Sequence, residues 1–444
     1  MLKKNYKEIF VILLFAVLSL FIFRNYFLKN TVPFPANLLV AYYEPWKSYS
    51  WDGYATGPSN KPIGFDNLRI FYPIKSIAID SIKNFSVPLW NPYYFAGNTL
   101  LGTYQSAIFH PLSFLFLILP QIDAWSVIVI FTPFLSSLFM YFFLKELNLG
   151  RKASFFGAIV FAFSGFMIVW WEESFMASYS ALFLPLILYG IKRSFKKIDL
   201  LSFFCIVFGL TFSLLSGWFQ MTFYVFIFSF FWTVYLFITS QGKFINFIFV
   251  LTSYVFAILI SSVHLFPSAE AYLYSARGSI DVKFLFNEYL APFKHLMTLI
   301  APDFFGSPGT YNYFGSGFYY EKVIYLGIPG LLFGLYSFLF KGEKYSSFFK
   351  FAFIICFSLG FSLTTSWFLL YNLKLPFLST IIPSRIFFLS TFCLSVLSAF
   401  GLENYLGGKI EKKRLLLFVE VLGMKYCRLV GAKERIAGKI VRIP

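Results

Sequence analysis

Residues 108–119 read IFHPLSFLFLIL. The stretch is apolar enough to enter a bilayer, and whether it crosses decides the orientation of everything after it. It falls short of the roughly 20 residues a spanning helix needs. It also carries His110 and Pro111 and stops at Pro120. A re-entrant or interfacial helix fits that length better than a full crossing. With 108–119 kept out of the count, the apolar runs give about ten spans by the same length rule. They lie at 9–27, 124–144, 153–171, 176–191, 200–216, 218–239, 244–266, 323–340, 351–368 and 385–402.

Charge placement agrees with that count. Lys3, Lys4 and Lys7 precede the first run. Basic residues then recur in every second connection: Lys145, Arg151 and Lys152; Lys192, Arg193, Lys196 and Lys197; Lys243; Lys341, Lys344 and Lys350; and Lys409, Lys412, Lys413 and Arg414. Lys and Arg mark cytoplasmic loops, so the N-terminus is expected in the cytoplasm. The outer side is then built from 29–123, the WWEES turn, 267–322 and 369–384. Letting 108–119 cross would break the alternation.

Composition sets the class. The chain is 58% hydrophobic, with 65 Phe and only 13% charged residues, against about 25% charged in ordinary soluble domains. We expect an all-α polytopic membrane protein whose large first outer loop contains short interfacial helices. Strand-length alternation is absent, which argues against a barrel. The net charge of +17 sits in short clusters between apolar runs. That pattern suits an anionic leaflet rather than nucleic acid. The first apolar run has a basic start but no small-x-small site after it, and reads as an uncleaved span. Cys205, Cys356 and Cys393 fall in apolar runs, and with Cys427 they make no CxxC pair. No GxxxxGK[ST], HExxH or Cys/His cluster is present, so neither an ATP-driven step nor a zinc site is expected. Residues 1–408 form one multi-span membrane domain. Residues 409–444 carry few aromatics and read as a basic cytoplasmic tail, either an interfacial helix or a truncated end.

Four stretches outside the spans could carry chemistry. IGFDNLRIFYP (63–73) holds Asp66 and Arg69. A carboxylate at the water–lipid boundary can act as a base, and the adjacent guanidinium can hold a phosphate; a surface pair or helix cap is the alternative. VPLWNPYYFAGN (87–98) and its continuation carry Trp90, Asn91, Asn98, Gln105 and His110. Aromatics beside neutral polar groups suit a sugar or lipid headgroup, or simply an aromatic belt. VWWEESF (169–175) places Glu172 and Glu173 at a membrane edge, as a site or an exposed turn. HLFPSAEAYLYSARGS (264–279) and the Tyr- and Gly-rich stretch 299–330 bring Arg277, Asp303 and Glu321, and Arg385 follows in a later outer connection. Such arginines either snorkel to lipid phosphate or converge on a bound one.

Taken in order, the Asp66 segment with PLWNPYYFAGN, LKELNLGRKAS with AFSGF, HLFPSAEAYLYSARG, PDFFG with YYEKVIYLGI, and LPFLSTIIPSRIFF with LSAFGLENYL resemble the bacterial YfhO-type membrane proteins. That family is grouped with the polyprenyl-phosphate-dependent glycosyltransferases of the C-type fold. The resemblance implies a multi-pass enzyme of the bacterial cell membrane with its active site on the outer face. It would pass a sugar from a polyprenyl-phosphate carrier to a cell-surface polymer or protein. Asp66 matches the essential acidic residue of the first outer loop, with Glu172 or Glu173 as a second acidic group. Arg69, Arg277 and Arg385 become the candidates for the carrier phosphate, and Trp90, Asn91, Gln105, His110, Asp303 and Glu321 for the rest of the substrate site. No metal ligand set is implied, though Asp66 with Glu172 or Asp303 could supply oxygens to a divalent ion. Two other classes fit the same residues. A flippase for a lipid-linked saccharide would not need Asp66 chemically. A non-catalytic assembly protein would leave Asp66, Arg277 and Arg385 apart.

Overall fold

A computed structural model describes residues 2–36, 38–39, 43–49, 66–239, 243–275, 281–310, 312–339, 344–373 and 382–408. The tail 409–444 and Arg277 lie outside the described residues, as do the side chains of Glu172 and Glu173.

Among the described residues, five helices are long and apolar enough to cross a membrane: Gln121–Glu146, Phe175–Ser194, Phe219–Thr239, Phe244–Leu273 and Pro383–Leu406. A sixth crossing forms if Arg151–Ala162 and Gly165–Trp171, bent by 48° at their junction, count as one. The first helix, Leu2–Ile22, has 21 residues. Three expected spans come out short. Leu200–Leu215 has 16 residues, roughly 24 Å at the α-helical rise, against a hydrocarbon core of about 30 Å. Ile328–Leu339 starts late because 323–327 is not helical. Ser346–Gly360 ends where Phe361 leaves the helix to bridge Ala291. Hydropathy cannot see these breaks, because the non-helical residues are as apolar as the helices they interrupt. In the other direction, Phe244–Leu273 runs through Pro267 instead of stopping before it.

Pro383–Leu406 and Phe175–Ser194 form the centre, each with 89% of its apolar window buried, whereas Phe244–Leu273 is 28% buried and faces outward. Pro383–Leu406 packs against Arg151–Ala162, Ile328–Tyr336 and Ser346–Gly360. Its approach to Ile328–Tyr336 depends on Gly401: a Cβ there would stand 2.0 Å from the Phe333 carbonyl oxygen. Gly401→Ala is therefore expected to push the two helices apart and cost about 1–3 kcal/mol, read as a lower Tm of the purified protein. An unchanged Tm would contradict this packing.

The break in the bent pair is satisfied internally, as irregular backbone at membrane depth must be. Ser164 caps Gly165–Glu173 by accepting from the Met167 N–H at 3.4 Å, and the Gly165 N–H donates to the Tyr325 carbonyl at 2.7 Å.

The stretch 108–119 forms no helix long enough to cross. His110 caps a 3₁₀ turn, Pro111–Phe114, which runs into the single α-turn Leu115–Ile118. Before it come the helix Tyr72–Lys83 and a small antiparallel hairpin pairing Trp90 with Thr99 and Asn91 with Asn98. Gly97 has φ +119° and lies under the Trp90 ring, which a Cβ would meet at 2.5 Å. The hairpin exposes Leu89, Trp90, Tyr93 and Phe95, with no Asp, Glu, Lys or Arg between Lys83 and Asp123.

Candidate functional site

Several separate elements deliver side chains to one spot. Arg385 comes from the 3₁₀ turn Pro383–Ile386 that opens the central helix. Glu321 comes from the turn Tyr320–Lys322 and is 3% exposed. Gln220 sits in the first turn of Phe219–Thr239, with Trp218 just before it, and Trp170 belongs to Gly165–Glu173.

The Arg385 guanidinium is the hub. Its Nε donates to Glu321 Oε2 at 3.0 Å and its Nη2 to Glu321 Oε1 at 2.6 Å. Its Nη1 donates to Gln220 Oε1 at 3.1 Å. Gln220 is fixed in turn, since its Nε2 donates to the Ile382 carbonyl at 2.6 Å and to the Tyr224 hydroxyl at 3.1 Å. The Trp170 and Trp218 rings each lie 5.1 Å from the guanidinium carbon. Two π-faces, a bidentate carboxylate and an amide hold this cation in one orientation. Guanidinium carries five N–H groups, so Nη1 and Nη2 each keep a second N–H not engaged by a described residue.

Asp66 approaches the same hub. It immediately precedes the π-helical turn Asn67–Phe71 and is half-buried. Phe71 from this turn packs edge-on against Trp218 at 6.0 Å. Burial pushes the Asp66 carboxyl above the ordinary carboxylate range, while the positive charges of Arg385 and then Arg69 pull it back part of the way. Arg69 is exposed on that turn, with its guanidinium over the Tyr43 ring and its Nε donating to the Tyr43 hydroxyl. The half-buried Asp66 carboxyl thus feels the charge of two cations, one locked and one exposed. It can accept a proton, and the cations can hold an oxyanion.

Glu321 and Arg385 are therefore in contact, Asp66 lies within electrostatic reach of Arg385, and Arg69 within reach of Asp66. The other expected site residues have different described partners. Trp90 is on the exposed hairpin, and Asn91 accepts from the Tyr93 N–H at 3.0 Å. Gln105 is half-buried in the following loop. His110 packs on Tyr179 and Phe212. Asp303 accepts from the Tyr319 hydroxyl at 2.8 Å. Among the described residues no hydrogen bond, ion pair or ring contact joins these five to the Arg385 cluster. Glu172 and Glu173 end the helix that carries Trp170, and their side chains lie outside the described residues, as does Arg277. No group of three His, Cys, Asp or Glu placed to hold a metal ion occurs among the described residues.

Sequence reasoning missed Trp170, Trp218 and Gln220. Gln220 left one trace, as the lone amide in the charge-free stretch 200–239. The two Trp left none, since aromatics are everywhere in this chain.

No curated protein matches the chain. The family model described as bacterial membrane protein YfhO matches residues 98–436. The match takes in Trp170, Trp218, Gln220, Glu321 and Arg385 and reaches into the tail, but it begins after Asp66, Arg69 and most of the hairpin. Covering most of the sequence, it assigns this chain to the YfhO family of bacterial membrane proteins.

Proposed function

We propose that this protein is a membrane-embedded glycosyltransferase. It moves a sugar from a polyprenyl-phosphate carrier to a hydroxyl acceptor on the outer side of the cytoplasmic membrane, with Asp66 as the base. One observation carries the reading: the half-buried Asp66 carboxyl lies within electrostatic reach of the fixed guanidinium of Arg385. A base and an oxyanion holder in one neighbourhood are what transfer from a phosphate leaving group requires. Lys3, Lys4 and Lys7 before the first helix support a cytoplasmic N-terminus.

The step balances as a direct displacement. The acceptor oxygen gives its proton to Asp66 and forms a bond to the anomeric carbon. The bond from that carbon to the carrier's phosphate oxygen breaks, and the electron pair leaves on the phosphate. The spare N–H groups of Arg385, with Arg69, receive that charge, so the leaving group needs no proton. The configuration inverts. Glu321 and Gln220 position Arg385 and do not touch the reacting atoms. Trp170 and Trp218 wall the cation and exclude water, which strengthens the interaction.

The test is transfer of label from polyprenyl-phosphate sugars to surface polymer or protein in membranes that contain or lack this chain. Chain-dependent labelling is expected. Labelled lipid that changes leaflet without any transfer would point to transport and overturn the enzyme reading.

A further inference from the structure

The hairpin that pairs Trp90 with Thr99 turns its bulk away from the protein. Leu89 and Trp90 are exposed, Tyr93 is 81% exposed and Phe95 87%. Phe85 and Val87, just before it, are exposed as well. The backbone holds these side chains outward. Beside the two strand pairs, the Leu100 N–H donates to the Leu89 carbonyl at 2.8 Å. The Tyr93 N–H closes on Asn91 Oδ1 at 3.0 Å, and the Gly97 N–H on the Tyr94 carbonyl at 2.9 Å. Phe85 and Phe95 sit in the left-handed region, at φ +55° and +52°, which bulky residues rarely adopt. A contiguous apolar patch of this kind marks a surface that meets a partner or a membrane.

Three observations point to lipid as the partner. The first is charge. From Asn84 to Ile122 the chain has no Asp, Glu, Lys or Arg, and the turns later in that run expose Phe114, Leu117 and Ile118. The second is continuity. The loop after the hairpin packs on the far end of Phe244–Leu273: a Cβ on Gly102 would stand 2.8 Å from the Ala271 Cβ, and the Tyr104 ring lies 4.7 Å from the His264 ring. Near that end of the helix Val263, Phe266 and Leu273 are exposed, so the hairpin extends a surface already turned to lipid. The third is level. Ala271 stands roughly 40 Å along the helix from Lys243 at the α-helical rise, about the thickness of a bilayer with its headgroup regions. Trp and Tyr favour that boundary, where a ring meets chains on one side and can hydrogen-bond on the other. Asn84, Ser86 and Asn98 are exposed on the same segment. They suit the headgroups and set a limit to the depth, since unpaired backbone and amide groups are costly in hydrocarbon.

We propose that the segment 85–99 is a lipid anchor. Trp90, Tyr93 and Phe95 enter the leaflet at the Leu273 end of the bundle, as far as the boundary between headgroups and acyl chains, beside the spanning helices and not as part of a span. That is the outer leaflet in the orientation given by the basic connections. The helix Tyr72–Lys83 links the anchor to the Asp66 turn, so the leaflet fixes the height at which Asp66 is held. The anchor requires neither sugar donor nor acceptor, and it stands or falls apart from the transfer reading.

The experiment is fluorescence quenching of the full chain in vesicles of phosphatidylcholine whose acyl chains are brominated either close to the headgroup or near the chain end. The Trp90 signal is the difference between the wild type and Trp90→Phe, which keeps a ring beside Gly97. It is expected to lose most of its intensity with bromine close to the headgroup, less with bromine near the chain end, and little with iodide in the water. Phe95→Trp adds a reporter at the tip. It should be quenched in the same order, and it keeps the test open if Trp90→Phe disturbs the hairpin. Quenching by iodide and not by bromine would place the hairpin in water and overturn the proposal. So would protection from both quenchers, which would mean that protein, a second copy or another chain, covers the patch.

Discussion

Asp66→Asn is expected to lower sugar transfer by about 10²–10⁴-fold, the range a positioned base contributes, with the protein still expressed and folded. Asn keeps the shape of the side chain and removes the proton acceptor. The stability of the variant should move the opposite way. Burial raises the Asp66 pKa in the fold above its value in the unfolded chain, about 3.9. The neutral form is thus the one the fold prefers. Its contribution is fully present below the unfolded pKa and is lost as pH rises through the folded one. Wild-type activity is expected to rise over the same interval, as the base becomes available. Asn mimics the neutral carboxyl at every pH, so above that interval Asp66→Asn should be inactive yet at least as heat-stable as the wild type. Transfer rates and Tm measured on the same preparations across pH check both halves. An inactive variant with a Tm well below wild type would mean that Asp66 is a structural residue. An active one would remove it from the chemistry.

How far the site was legible in the sequence follows from the cost of charge in lipid. Asp66, Arg69, Glu321 and Arg385 stood out because a chain this apolar carries few ionisable groups near its membrane boundaries, and each has to be paired or solvated. Their separation along the chain hid which pair with which. Glu321 and Arg385, 64 positions apart, form the tightest ion pair in the site. Trp170 and Trp218 were invisible for the opposite reason. With 65 Phe, 29 Tyr and 9 Trp, one ring more carries no information until the fold sets it over a guanidinium. The all-helical membrane class and the short turns at 111–118 were legible from length and proline placement. The count of full crossings was not, because a non-helical apolar stretch such as 323–327 has the hydropathy of a helix.

Arg385→Met is expected to destabilise the protein by about 3–5 kcal/mol, the cost of leaving one partner of a buried ion pair uncompensated. The Glu321 side chain is fully buried and Arg385 keeps only 11% of its own exposed, so solvent screens this pair little. Glu321→Gln should cost less, since the guanidinium keeps Gln220 and two Trp faces, worth about 0.5–2 kcal/mol each, and stays near Asp66. Arg385→Met with Glu321→Met removes both charges and leaves apolar chains of similar length against Trp170 and Trp218. Exchanges of that kind are neutral or stabilising in other buried pairs. The double variant should therefore regain most of the lost Tm while transfer stays absent, because the group that receives the phosphate charge is gone. A double-mutant cycle in Tm, run alongside the transfer assay, separates the two roles. If the double variant were as unstable as Arg385→Met, the pair would not be the source of the cost. If it transferred sugar at the wild-type rate, the guanidinium would be a strut of the fold alone, and the phosphate would have to be held by other residues.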